Sequence, residues 1–140
     1  MYIYKHKVNY YETDKMGVTH HSNYIRFMEE ARIAWMENMG WSYQKCEELG
    51  MISPVVAVGC IYKKPTTFAD VIEIEVSLPK YNGIKLFLHY EMKKDGEIVA
   101  VGDTEHCFLN ANGRPIRIQK EYPELDEILK RQLLSEASKI

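Results

Sequence analysis

The sequence has too few cysteines for a disulfide framework. Cys46, Cys60 and Cys107 are odd in number and far apart, and no CxxC pair is present. Zinc sites and small secreted scaffolds depend on closely spaced or paired cysteines. We therefore expect free thiols, no structural metal and a reducing, cytoplasmic location.

Long apolar runs and an excess of charge of either sign are also missing. No run approaches the roughly 18 apolar residues of a membrane span, and residues 1–14 lack the apolar region and cleavage site of a signal peptide. The formal net charge of −2 offers no basic field for nucleic acid. The sequence contains no GxSxG, GxGxxG or P-loop motif, which disfavours serine-hydrolase, dinucleotide and nucleoside-triphosphate chemistry.

What is present is a length and hydrophobic periodicity typical of one globular domain, here residues 1–140. The pattern predicts a long helix from Ser22 to Gly40, with His21 or Ser22 near the N-cap and Gly40 as the stop. This is the longest and most apolar helix, so we expect it in the middle of the core. Its apolar face comprises Tyr24, Phe27, Met28, Ala31, Trp35 and Met39.

Alternating or continuous apolar stretches predict five strands around that helix. The run 52–62 is almost continuously apolar, which predicts that both of its faces are covered. Asn82-Gly83 and Asp95-Gly96 are hairpin signals. Shorter helices are predicted at 43–49 and 121–139. Strands beside one segregated helix indicate an α+β fold. The predicted strands are residues 2–12, 52–62, 71–78, 86–92 and 98–109.

A carboxylate and a glycine turn precede the long helix. Asp14 lies three residues before Gly17 and just ahead of the helix N-terminus. Unpaired N–H groups there suit a carbonyl oxygen that gains negative charge, while the carboxylate acts on the same substrate. The same residue type and spacing also suit a simple Asx turn, and taken alone they favour the turn.

Other polar residues leave alternatives open. His20 and His21 suit acid–base chemistry or helix capping, and no third ligand at a metal spacing such as HExxH accompanies them. Glu29 borders the apolar face of the helix. It suits the role of a second catalytic carboxylate, and it equally suits an ion pair with Arg26 or Arg32. In the last strand, alternation sends His106 to the opposite face from a set that we expect to be exposed or at an interface. That set is Asp103, Glu105 and Cys107.

Several residue types fall at fixed offsets around the start of the long helix. The motif is Tyr11-x-Thr13-Asp14-x-x-Gly17-x-x-His20-His21-x-x-Tyr24-x-x-Phe27-x-Glu29-x-Ala31-Arg32. It closely resembles the signature of the 4-hydroxybenzoyl-CoA thioesterase-like branch of the hotdog-fold acyl-CoA thioesterases. The similarity spans nearly the whole chain, and the later segments Lys64-Pro65-x-x-x-x-Asp70 and Asp103-x-x-x-x-Phe108 are compatible with it.

The resemblance implies a hotdog fold, in which a curved five-stranded antiparallel sheet wraps a long central helix. It implies a homodimer or homotetramer that hydrolyses an acyl-CoA without a cofactor, at a site shared between subunits. The family's catalytic aspartate falls on Asp14, as nucleophile or general base, and the backbone N–H that polarises the thioester falls on His21. Many members have tyrosine in place of His20. Residues that we expect to contact substrate are Gly17, His20, Tyr24, Lys63 and Lys64.

Two other functions fit the same sequence less well. A hydratase or dehydratase on this fold would use a histidine and a carboxylate as acid and base, and would leave the thioester intact. A non-catalytic acyl-CoA-binding module would bind CoA esters without turnover. The aspartate-centred motif disfavours the hydratase or dehydratase, and the absence of a DNA-binding extension speaks against a transcriptional regulator.

Overall fold

Five strands and four helices account for most of residues 2–137, which are the residues that the computed structural model describes. The strands are β1 Tyr2–Lys7, β2 Val55–Tyr62, β3 Val71–Tyr81, β4 Lys85–Lys94 and β5 Glu97–Cys107. The helices are α1 Asn23–Met39, α2 Tyr43–Glu48, α3 Ile118–Glu121 and α4 Pro123–Ala137. The strands form one antiparallel sheet in the order β1-β3-β4-β5-β2.

Helix α1 lies in the core, as its periodicity predicted. Five of the six residues on its predicted apolar face are at most 3% exposed, and Met39 is partly buried. Gly40 ends the helix in the left-handed region, at φ +93°. Ser22 is not a conventional N-cap, because its backbone is already α-helical and its hydroxyl caps no N–H. That hydroxyl lies 2.9 Å from His20 Nδ1 instead.

The hairpin strands β3, β4 and β5 follow the predicted alternation. Ile72, Ile74, Val76 and Leu78 of β3 are fully buried, and so are alternate residues of β4. The turn between β4 and β5 has positive φ at both Asp95 and Gly96, as a tight hairpin requires. His106 is buried while its neighbours on either side are not, so the predicted orientation of the β5 side chains is confirmed.

Two strand predictions are wrong in detail. Strand β1 ends at Lys7, and residues 10–12 form a 3-10 turn because Asn9 and Glu12 build a capping box. Strand β2 begins at Val55 rather than Ile52, and seven of its eight residues are exposed in the single chain. The continuous apolar run therefore reflects an edge strand that is open to solvent in this chain. It does not mark a strand covered on both faces.

The C-terminal part closes one side of the sheet. Helix α4 packs on β3, with Leu125 and Leu129 buried and Ile128 and Leu133 partly buried against the core. The predicted helix end at Lys139 lies outside the described residues. After β5, a single bridge joins Leu109 to Pro115.

Candidate active site

Asp14 sits at the start of a tight turn that an antiparallel bridge between Thr13 and Thr19 closes. The Asp14 N–H donates to the Val18 carbonyl at 2.9 Å, and the Gly17 N–H donates to the Asp14 carbonyl at 3.0 Å. Gly17 has φ +80°, so the predicted glycine turn is present. Asp14 Oδ1 accepts the Met16 N–H at 2.8 Å, which is an Asx turn. Oδ2 makes no hydrogen bond to any described residue.

The Glu12 carbonyl fastens this turn to the start of α1. It accepts the His20 N–H at 2.8 Å and the Asn23 side-chain amide at 2.9 Å. The Glu12 side chain is itself buried, and its Oε1 lies 2.9 Å from His6 Nε2 and accepts the Asn9 N–H at 2.7 Å. Strand β1, the Asp14 turn and the helix N-terminus are therefore held by one residue.

The backbone at the start of α1 presents a free donor. The N–H of His21 has no acceptor among residues 2–137, whereas its carbonyl accepts both the Tyr24 N–H at 3.2 Å and the Tyr62 hydroxyl at 2.9 Å. The side chains of His20 and His21 are exposed and stack on each other with ring centroids 4.3 Å apart. An unpaired N–H at a helix N-terminus, with its carbonyl anchored, suits the stabilisation of an oxyanion.

Buried hydroxyl groups lock the loop after β2 against the helix start. Thr66 Oγ1 lies 2.6 Å from Thr19 Oγ1 and 2.8 Å from the Tyr24 hydroxyl. Burial raises the pKa of Tyr24, against the opposing effect of its hydrogen bond with Thr66. Tyr24 therefore carries its proton near neutral pH. Sequence reasoning did not identify Thr19 or Thr66, since nothing local predicts a contact across 47 residues.

An open groove of about 260 Å³ runs beside the His21 end of α1. Lys64 forms an ion pair with Glu97 at the surface, whereas Lys63 has no ion pair among the described residues. Four predicted site residues line the groove together, whereas Asp14, Gly17 and His20 do not. The lining residues are Thr19, His21, Tyr24, Tyr62, Lys63, Lys64 and Pro65.

The remaining candidates lie elsewhere. Glu29 is exposed and forms no ion pair with Arg26 or Arg32 in the described chain. All three cysteines are free, with Cys46 buried. No group of three or more metal-ligand residues is found within residues 2–137. No helix in this part of the chain combines the length and the apolar character of a membrane span.

Comparisons with known proteins agree with this architecture. The profile of the thioesterase-like superfamily matches residues 8–133. A candidate esterase of Aquifex aeolicus (strain VF5) is 36% identical over 124 residues, covering 89% of this chain and 96% of that protein. The candidate acyl-CoA thioesterase YneP of Bacillus subtilis (strain 168) is 32% identical over 120 residues, covering 84% and 87%. A solved DHNA-CoA thioesterase from Staphylococcus aureus matches with TM-score 0.92 at 33% identity, covering 99% of this chain and 95% of that chain.

A long helix wrapped by a five-stranded antiparallel sheet is the hotdog fold of thioester hydrolases, and both the fold and the enzyme class expected from the sequence are confirmed. The chain belongs to the thioesterase-like superfamily.

Proposed function

We propose that this enzyme hydrolyses acyl-CoA thioesters to the free acid and CoA. The observation that carries the proposal is the unpaired His21 N–H at the start of α1, beside a groove that also contains Lys63. The N–H is suited to the thioester oxyanion, and the lysine to a CoA phosphate. Relatives whose names include acyl-CoA thioesterase and DHNA-CoA thioesterase support the substrate class.

In this mechanism Asp14 supplies the carboxylate, either as the nucleophile or as the base that activates water. Its free Oδ2 is available for that role, while Oδ1 holds the turn. Asp14 does not line the groove of its own chain. This agrees with a site completed by a second copy of the single domain, in a homodimer or homotetramer. The open edge strand β2 supports such an assembly.

Replacement of Asp14 by asparagine tests the mechanism. Asparagine keeps an acceptor for the Met16 N–H and so preserves the turn, but it cannot attack or take a proton. We expect kcat on the best acyl-CoA to fall by at least about 10²-fold, because loss of a single oxyanion donor already costs 10²–10³.

The matched control is Asp103→Asn, since the Asp103 side chain is 72% exposed on β5, outside the groove. It should keep full activity. Full activity of Asp14→Asn on a panel of short-chain, long-chain and aromatic acyl-CoAs would overturn the assigned mechanism. Hydration of crotonyl-CoA with the thioester intact would favour the hydratase alternative. Binding of CoA esters without turnover would favour a binding module.

A further inference from the structure

A second cavity, of about 90 Å³, lies between α1 and β2 at some distance from the His21 groove. Its lining includes apolar side chains such as Ile25 and Val58, and it also includes Arg32, Thr104 and His106. The cavity thus combines apolar walls with a cation and hydrogen-bonding groups.

The charge of Arg32 is not balanced by any carboxylate. The residue is 4% exposed, and no Asp or Glu of the described chain lies within ion-pair distance of its guanidinium. Its hydrogen bond is a long one, 3.5 Å from Nη1 to the Ser53 hydroxyl, and the Tyr43 ring lies 5.9 Å away. A buried cation without an anion is costly unless something else satisfies it.

His106, beside Arg32, adds a second buried polar group. The residue is 2% exposed, and Nε2 lies 2.7 Å from Thr104 Oγ1. Nδ1 has no partner of good hydrogen-bond geometry in the described chain, although the Pro54 backbone is near enough to oppose the fall in the pKa of the ring. Burial and the nearby Arg32 charge lower the pKa of His106 to about 3. The imidazole is therefore neutral near neutral pH and does not add a second buried charge. Glu29 is the one carboxylate that lines the cavity, and it is exposed.

The cavity and the groove lie along one path. Tyr62 contacts His21 and Tyr24 at the start of α1, whereas Val58 borders the same cavity as Arg32. Strand β2 therefore runs antiparallel to α1, and both elements span the two sites. Arg32 is eleven residues beyond His21, about 16 Å along the helix axis, and its side chain leans back toward the helix N-terminus.

The cavity has apolar walls that are open to solvent. Ile25 of α1 and Val58 of β2 line it, and both are 45% exposed although both are large hydrophobic side chains. On α1, Ile25 lies between His21 and Arg32 in sequence, and on β2, Val58 lies four residues before Tyr62. An acyl chain whose thioester carbonyl binds the N–H of His21 would cover these two residues and end at Arg32.

We propose that this cavity binds a carboxylate at the far end of the acyl group, so that the preferred substrates are CoA thioesters of medium-length dicarboxylic acids. A carboxylate matches the guanidinium in bidentate geometry. The volume of 90 Å³ equals that of about three water molecules, enough for a carboxylate and a methylene group. The Arg32 side chain reaches back by roughly 6 Å, which leaves about 10 Å of the axial separation from His21. An extended chain advances by about 1.2 Å per bond, so an acyl group of roughly eight carbons spans most of that distance and the hydrogen-bond contacts at its two ends span the rest.

The inference rests on the proposed function, and a matched pair of substrates tests it separately. Suberoyl-CoA and octanoyl-CoA have the same chain length and differ by the terminal carboxylate. We expect the kcat/KM of the wild-type enzyme to be at least about 30-fold higher for suberoyl-CoA than for octanoyl-CoA. This ratio corresponds to the binding free energy of a buried pair of opposite charges. Equal values for the two esters would overturn the inference and leave the thioesterase activity standing. Failure to hydrolyse any acyl-CoA would overturn the proposed function itself.

Variants of Arg32 then locate the carboxylate. Arg32→Met should abolish the preference by lowering kcat/KM for suberoyl-CoA, with octanoyl-CoA within about threefold of wild type, since methionine keeps the apolar stem. Arg26→Met, on the exposed face of α1, is the control and should change neither value. An equal loss on both esters would mean a structural role and overturn the inference. If Arg32→Met does not fold, Arg32→Lys decides, because a point charge should keep the sign of the preference and reduce it about tenfold.

Discussion

The Tyr62 hydroxyl reaches across 41 residues of sequence to the carbonyl of His21. It fixes the peptide that follows the free His21 N–H, so the direction of the proposed oxyanion donor depends on a side chain from the edge strand. The Tyr62 ring also meets the Tyr24 ring edge-on, with centroids 5.2 Å apart. Tyr62 is thus a positioning residue rather than a group that touches the reacting atoms.

Tyr62→Phe should therefore slow the reaction without unfolding the protein. Phenylalanine keeps the ring contact with Tyr24 and loses the hydrogen bond to His21. The bond is worth about 0.5–1.5 kcal/mol, which corresponds to a fall of about 2- to 12-fold in kcat with little change in KM. Steady-state kinetics on the best acyl-CoA measures it. Tyr10→Phe, at a residue 76% exposed and outside the motif, is the control, and an unchanged kcat in Tyr62→Phe would contradict the positioning role.

At the residue scale, the sequence predicted the local features of the site and missed the distant partners. The glycine turn at Gly17 and the buried position of Tyr24 follow from turn chemistry and helical period, and both are found. Tyr62 and Thr66 could not be predicted as partners of the helix start, because a hydrogen bond between distant segments leaves no periodic signal. The catalytic role of Asp14 stays a prediction.

At the scale of elements, the approach of α1 to the sheet depends on a glycine that sequence reasoning did not single out. A Cβ on Gly102 of β5 would overlap Met28 Sδ and lie 3.2 Å from the Gly59 carbonyl. The thioether end of Met28 would have to shift toward the cavity that it lines, while the Gly59 carbonyl is part of the sheet backbone. Gly102 is therefore a position where a side chain of the central helix packs directly against the strand beneath it.

Gly102→Ala should destabilise the protein by about 1–3 kcal/mol, as overpacking of a core does. Urea unfolding measures the change. Gly59→Ala is a matched control on the paired strand, since a Cβ there meets nothing within 4 Å. Shortening Met28 in the Gly102→Ala background should recover part of the loss, and a double variant no more stable than the single one would argue against the contact as the cause.

Sequence patterns predicted a strand well where one of its faces packs on the core of the same chain and the other faces solvent. The alternation in β3 and β4 gives the correct inward side chains because the core and the solvent lie on opposite faces. The run in β2 was misinterpreted for a physical reason. An apolar composition indicates that a surface is buried away from water. It does not indicate whether the same chain or another molecule buries that surface.

For the whole molecule, β2 is the feature that predicts assembly. It forms one edge of the sheet and pairs only with β5 in the described chain. An edge that is both unpaired and apolar invites a second strand. Its large exposed side chains outside the groove and the cavity are Val56 and Ile61.

Val56→Lys should convert the assembly to monomers, because it places a charge on a surface that the proposed partner copy would bury. Sedimentation velocity of wild type and variant at micromolar concentration measures the change. Val71→Lys is the control, at a valine 45% exposed on β3, and it should leave the mass unchanged. A monomeric wild-type enzyme would contradict the expected homodimer or homotetramer.

The overall architecture was more predictable than any single boundary within it. One long amphipathic helix and a strand meander leave few ways to bury both apolar surfaces, so the order of elements already indicates a meander curved around a central helix. The hotdog fold itself was implied by the resemblance. Strand ends are less predictable because single side chains set them, as Glu12 does where β1 gives way to a 3-10 turn.

Glu12 also affects which positions of the proposed site can accept mutations during evolution. Its carbonyl fixes the chain at His20 and Asn23, while the bridge from Thr13 to Thr19 closes the loop from within. The loop tip, where Met16 is 81% exposed, carries none of that anchoring through its side chain. Mutations can therefore accumulate at the tip while the geometry of the Asp14 turn is inherited intact, whereas a change of the Glu12 side chain removes its contacts with His6 and Asn9 and loosens the segment that carries the anchoring carbonyl.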